Sequence, residues 1–187
     1  MKKILIGGIV GGIVVFAWGA VAHMVLPLGK MGIRQMPNED AVLGAMKQSI
    51  REPGLYFFPG MDMSREPSQE ERQAWTARYA AGPVGILIYH PQGETPVSPK
   101  QLSTQLATDI AAALIAAILL SQTGAGFLGR VLFVALLGPF SWVTISVPHW
   151  NWYGFPSDFT TGEAIDQVVG WFLGGLALAA IVKKPAG

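Results

Sequence analysis

Apolar residues run along this chain in four stretches, each long enough to cross a bilayer as a helix of roughly 20 residues. The first covers residues 4–26 and is stopped by Pro27. The second opens with Ser98-Pro99-Lys100-Gln101, a capping box with proline at the first helical position, and continues to about Leu120. The run Gln122-Thr123-Gly124-Ala125-Gly126 predicts a tight connection. The third stretch covers residues 128–147 with Pro139 inside it as a kink, and a short loop follows over 148–159. The fourth covers residues 160–182 and ends before Lys183-Lys184-Pro185.

Between the first and second stretches the pattern changes. Asn38-Glu39-Asp40 followed by Ala41, Val42, Ala45, Met46 and Ile50 predicts a short amphipathic helix. Leu55-Tyr56-Phe57-Phe58 predicts a strand. Ser68-x-x-Glu71 is a second capping box, and it predicts a helix through Trp75 to Ala81, closed by Gly82-Pro83. Gly85-Ile86-Leu87-Ile88-Tyr89-His90 predicts a second strand, stopped by Pro91. The strand–helix–strand order suggests a parallel crossover. The expected fold is a four-helix transmembrane bundle with a small α+β extracytoplasmic cap. Residues 1–28 form the first transmembrane helix, 29–98 the cap, and 99–187 the remaining three helices with short loops.

Composition agrees with a lipid solvent. Of the 187 residues, 51% are hydrophobic and 13% charged, against roughly 25% charged in soluble domains. Net charge is +1, which gives no reason to expect a nucleic-acid partner. The absence of cysteine excludes disulfides, thiolate metal ligands and a cysteine nucleophile. Lys2-Lys3 before an apolar run that reaches Ala20-Val21-Ala22 resembles a secretory signal. The run is too long for a signal core of about 7–15 residues, so an uncleaved anchor is expected. Lys2, Lys3, Arg130, Lys183 and Lys184 fall on one side of four spans. The positive-inside rule makes that side cytoplasmic, in a bacterial-type plasma (inner) membrane, with residues 29–98 outside. A large first outer loop and a small second one resemble the claudin arrangement of four spans. The likeness is one of topology only. The claudin signature needs a cysteine pair that this chain lacks, so neither residues nor function carry over.

Polar groups inside the apolar stretches are the candidate chemistry. Gln105, Asp109, Ala112, Ala113 and Ala116 share a stripe of the second span at helical spacing. Glu163, Asp166, Gly170, Gly174 and Ala177 share one of the fourth. Gly8, Gly12, Gly19 and His23 lie close to one in the first. Gly8-x-x-x-Gly12 and Gly170-x-x-x-Gly174 are small-residue packing motifs, so these faces are expected to meet other helices. Asp109 stands about 15 Å into its helix. An aspartate at mid-span costs roughly 2.5–3.5 kcal/mol on insertion scales. His23, Asp109, Glu163 and Asp166 are therefore expected to form one intramembrane polar cluster. For Glu163 the plain alternative is a Thr160-x-x-Glu163 capping box.

The run His149-Trp150-Asn151-Trp152-Tyr153 suits an aromatic belt or an outer docking lip. His149 with His23 and a carboxylate would suit a metal, but no metal-binding spacing supports it. No cofactor is expected, and no phosphate loop, dinucleotide fingerprint or nucleophile elbow occurs. Two function classes follow. The first is a non-catalytic membrane subunit, an accessory or scaffolding component of a larger assembly, with an energy-transducing complex as one host. Its partners would be lipid and other membrane subunits. The second is a small transporter or metal-handling protein using the polar cluster. A haem-binding electron carrier using the two outer histidines is a weaker third.

Overall fold

The computed structural model describes residues 1–182, so Lys183 and Lys184 lie outside the described residues. Two compact units emerge, Met1–Ile33 with Pro96 onward, and Arg34–Thr95. The first holds four helices long and apolar enough to cross a membrane, Lys2–Val25, Pro99–Ser121, Phe127–Tyr153 and Ser157–Ile181. These fit a multi-pass membrane protein with lipid-facing helices. The second unit holds a small two-stranded sheet and two helices.

In the helical unit, α1 (Lys2–Ala20) lies between α4 (Pro99–Ser121) and α8 (Ser157–Ile181). The doubled glycines of α1 serve both neighbours. A β-carbon at Gly8 would stand 2.9 Å from the Leu114 Cα, and one at Gly12 2.6 Å from the Ile110 nitrogen, both on α4. On the adjacent face, Gly7 and Gly11 receive Val182 and Leu178 from the end of the fourth span. The third span packs on the far side of α8. A β-carbon at Gly138 would stand 2.8 Å from the Gln167 carbonyl carbon, and one at Gly175 2.8 Å from the Val131 oxygen. Lipid supplies no hydrophobic drive between helices, so close backbone approach over small residues is what holds such contacts. At the end of the unit that carries the N-terminus all four spans converge. Ala116, Ala117, Leu120, Val134, Leu178 and Val182 form a buried cluster with Ile4 packed against it.

The third span is longer than its hydropathy predicts. It comprises α5 (Phe127–Ala135), α6 (Leu137–Ser141), a π-helical turn (Trp142–Ser146) and α7 (Val147–Tyr153). The residues expected as a loop from Pro148 are helical to Tyr153. Pro148 lies inside the continuous helix, directly after the π-helical turn, and Gly154 in the left-handed region at φ 72° ends the helix. Pro139 interrupts the span three residues before itself, at Leu136, because it offers no N–H to the Ala135 carbonyl.

The fourth span starts earlier than expected, at Ser157 after Pro156. The Thr160–Glu163 capping box therefore does not form. Thr160 is buried inside the helix, and its hydroxyl donates to the Pro156 carbonyl over 3.1 Å. Residues 29–33, expected in the outer segment, fall in the helical unit. Gly32, at φ 74°, packs on Phe159, and Met31 covers Gly162.

In the second unit, α2 (Glu39–Ser49) precedes β1 (Gly54–Phe58), α3 (Gln69–Ala81) and β2 (Gly85–Tyr89). The strands pair antiparallel, with Leu55 opposite Ile88 and Phe58 opposite Gly85, which corrects the parallel crossover. Since Phe58 and Gly85 are partners, the 59–68 connection travels back the length that α3 then covers. Trp75 donates its indole N–H to the Pro59 carbonyl over 2.8 Å and holds the return of the chain in place. Tyr79 stacks on Phe57 and leans on Trp75. Ser68 and Glu71 form the capping box of α3, and Arg65 forks onto the Glu71 carboxylate. The Arg65 hydrogen bonds and the Ser68 backbone N–H hold the Glu71 pKa down at about 2. Hydrogen bonds from Ser64 likewise lower the Asp62 carboxyl.

Candidate functional site

The first turns of α8 are flanked by π-helical turns in both neighbouring spans, Val21–Val25 in the first and Trp142–Ser146 in the third. A π turn inserts an extra residue and rotates the downstream part of the helix; such bulges concentrate at functional sites. His23 lies within the first of them, and its ring faces Asp166 of α8, with Nε2 3.5 Å from Oδ2. Gly8 and Gly12 instead face α4, so His23 does not share their neighbour. Gly19 faces open space and is not part of a packed stripe. At the second π turn the Trp142 indole donates to the Thr160 carbonyl over 2.8 Å. Trp18 does the same to the Asp166 carbonyl over 3.1 Å. Two indoles thus pin the polar end of α8 by its backbone.

Asp166 is largely enclosed, with its side chain 17% exposed against 48% for His23. Its Oδ1 is buried with no hydrogen-bond partner. Glu163 is half-buried one turn earlier, in electrostatic range of Asp166, His23 and His149. Gly170 and Gly174 continue the same side of α8 against the first span. A β-carbon at Gly170 would stand 3.1 Å from Trp18 Cδ1, and one at Gly174 2.9 Å from Val15 Cγ2. On the face toward the third span, Ser141 donates to the Gln167 side-chain oxygen over 3.0 Å.

Asp109 approaches this arrangement from the second span. It is half-buried and accepts a hydrogen bond from Gln105, one turn away on its own helix, over 3.0 Å. It shares electrostatic range with Asp166 across helices. The stripe expected for the second span splits in two. Ala113 and Ala116 are buried, while Thr104, Gln105 and Thr108 are exposed. Asp109 sits where the exposed polar arc meets the buried one.

The aromatic run closes the third span onto the fourth. His149 stacks on Phe155 with centroids 5.2 Å apart and lies 5.9 Å from Tyr153, and Phe155 meets Phe159 at 5.4 Å. Trp150 donates to the Ser157 hydroxyl over 3.1 Å. Trp152 is the outermost, 75% exposed, with Trp150 and Tyr153 also exposed. Among the described residues no group of three or more histidine, aspartate and glutamate side chains is gathered closely enough to hold a metal ion.

Three features escape the sequence pattern. The π turns carry no residue signature. Gly7 and Gly11 repeat the spacing of Gly8 and Gly12 one residue earlier, and that doubling is the signal for a helix packed on two sides. Arg130, read only as an orientation signal, is 4% exposed and donates to the Val182 carbonyl over 2.7 Å. Its Nε is buried without a partner. Compared with protein-family models, with curated proteins and with solved structures, the chain matches none.

Proposed function

We propose that this multi-pass membrane protein is a non-catalytic subunit, an accessory or scaffolding component that assembles with other membrane proteins. The observation that carries the reading is the exposed polar arc of the second span, Thr104, Gln105 and Thr108 with Asp109 at its margin. A polar arc on the outside of a transmembrane helix is costly against lipid and is relieved by another protein surface. The glycine faces are already used within the chain, Gly8 and Gly12 against α4, and Gly170 and Gly174 against the first span. They are packing residues here, not docking ones. His149, Trp150, Trp152 and Tyr153 form the lip at headgroup level, and Trp152 is its most available side chain. The proposed setting is a bacterial-type inner membrane, with both termini cytoplasmic and residues 29–98 outside. Native mass spectrometry after mild-detergent extraction tests the reading. A stable complex with heterologous membrane subunits supports it, and a chain that runs alone overturns it.

A second reading is favoured by one observation, the buried Asp166 Oδ1 left without a donor beside His23. It makes the His23–Glu163–Asp166 group a proton or cation carrier site. Proteoliposome flux that the Asp166→Asn variant abolishes would favour it over the subunit reading.

A further inference from the structure

We infer that the outward polar face of the second span docks a transmembrane helix of a different polypeptide, one that presents a lysine or arginine to Asp109 at mid-membrane. This rests on the subunit reading above and names the chemistry of the partner.

Ile110, the residue after Asp109, packs on Gly12, halfway along the first span (Lys2–Val25). Asp109 therefore lies near the middle of the bundle's height. A carboxylate at that depth needs a counter-charge or a proton. Gln105 gives Oδ1 one amide donor from the same helix and no charge. The arc leading outward from Asp109, through Thr108, Gln105 and Thr104, is exposed. A neighbouring helix that lies along it meets hydrogen-bonding groups for about a turn and a half and a single negative charge at the inner end.

Among the described residues of the helical unit none completes that pair. Lys2, Lys3, Lys30 and Lys100 stand at or beyond span ends, and Arg130 is buried on the Val182 carbonyl. His23 faces Asp166, and the fourth span (Ser157–Ile181) contains no lysine, arginine or histidine. A second copy of the chain fits no better. A twofold axis along the membrane normal brings equivalent residues together at equal depth, so Asp109 would meet Asp109. Opposite charge on a foreign helix is the arrangement that removes the cost, and Arg or Lys with a long stem reaches such a site without exposing its charge to lipid.

The test places a photoreactive amino acid at position 105 or 108 of the full chain, in its native membrane, with position 118 as control. Ile118 is exposed and apolar. Expected are adducts from 105 and 108, but not from 118, with one heterologous transmembrane peptide that carries a lysine or arginine within a turn of the cross-link. In an Asp109→Asn background the adduct yield should fall at least tenfold, and in Asp109→Glu it should persist. Undiminished adducts in Asp109→Asn would overturn the inference. So would adducts only with lipid, adducts only with a second copy, or a partner peptide without a basic residue. The wild-type cross-links decide the matter even where a variant fails to accumulate. A heterologous complex that forms without these cross-links refutes the docking face and leaves the subunit reading standing; no complex at all refutes both.

Discussion

Gly12 lies so close to Ile110 that a β-carbon on it would stand 2.6 Å from the Ile110 backbone nitrogen. Backbone has no rotamer by which to give way, so the helices themselves must part. Gly12→Ala is expected to destabilise the bundle by about 1–3 kcal/mol, the range for overpacked sites. Gly19→Ala meets nothing within 4 Å and should leave stability unchanged or slightly raised. Thermal unfolding of the two variants in one detergent separates them. Equal melting temperatures would mean that the first and second spans do not pack this tightly in solution.

The His23–Asp166 pair should be energetically small. The His23 Nε2 stands 3.5 Å from the carboxylate, at the outer limit of a hydrogen bond, and among the described residues no second donor aligns the pair. A double-mutant cycle on His23→Ala and Asp166→Asn is expected to give a coupling below about 1 kcal/mol. Trp18→Phe removes the indole bond to the Asp166 carbonyl and should cost about 1 kcal/mol independently. A coupling of several kcal/mol would mean the pair is buried in the assembled protein.

The four spans are legible in the sequence because each is long and apolar, and hydropathy needs no tertiary information. The Ser68–Glu71 and Ser98–Gln101 boxes are legible because a cap is local to four residues. Features that depend on distant chain are not. The direction of strand pairing follows the path of the 59–68 connection, which no residue pattern encodes. The start of the fourth span at Ser157 displaces Thr160 from the cap position that its spacing with Glu163 suggests. The partner of His23 follows from a π turn, and that turn has no composition of its own. The inaccessible part of the site is thus the part set by helix rotation. The stripe of the second span shows it most clearly. Gln105 and Ala113 satisfy one spacing, yet one is exposed and the other buried.

The Arg65–Glu71–Ser68 clasp predicts an acid transition in the second unit. The Glu71 carboxyl is lowered from 4.5 to about 2, so its interactions favour the folded form above pH 4.5. That contribution is lost as pH falls from 4.5 through about 2. The side-chain carbon resonance of Glu71 should titrate with a midpoint near 2, and Arg65→Ala should move it upward. A midpoint at the ordinary glutamate value in the unaltered chain would mean that the clasp does not persist in solution.

Arg130 should act as the cap of the fourth span. Its guanidinium donates to the Val182 carbonyl, where a helix end attracts positive charge. Arg130→Met leaves that carbonyl without its donor and should cost about 1–3 kcal/mol. Arg130→Lys retains a charge and a donor while removing the unpartnered Nε, and its stability should fall between those of the unaltered chain and Arg130→Met. Hydrogen exchange over residues 178–182 reads the effect directly, since loss of the cap frays that end first. Unchanged protection in Arg130→Met would deny the residue a capping role.

The same residue bears on sidedness. Lys2, Lys3 and Arg130 lie on one side of the four spans, and the positive-inside rule predicts that side to be cytoplasmic. A reporter fused after Gly60 should then score outside and one at the C-terminus inside. Arg130→Met alone should not invert the chain, because Lys2 and Lys3 flank the first span and that span usually dominates orientation. Adding Lys2→Gln and Lys3→Gln should produce mixed orientation, with both reporters active on both sides. Reporters that score on the same side in the unaltered protein would overturn the four-span topology with its termini together. Retained orientation in the triple variant would show that Lys183 and Lys184, or the 29–98 segment, set it instead.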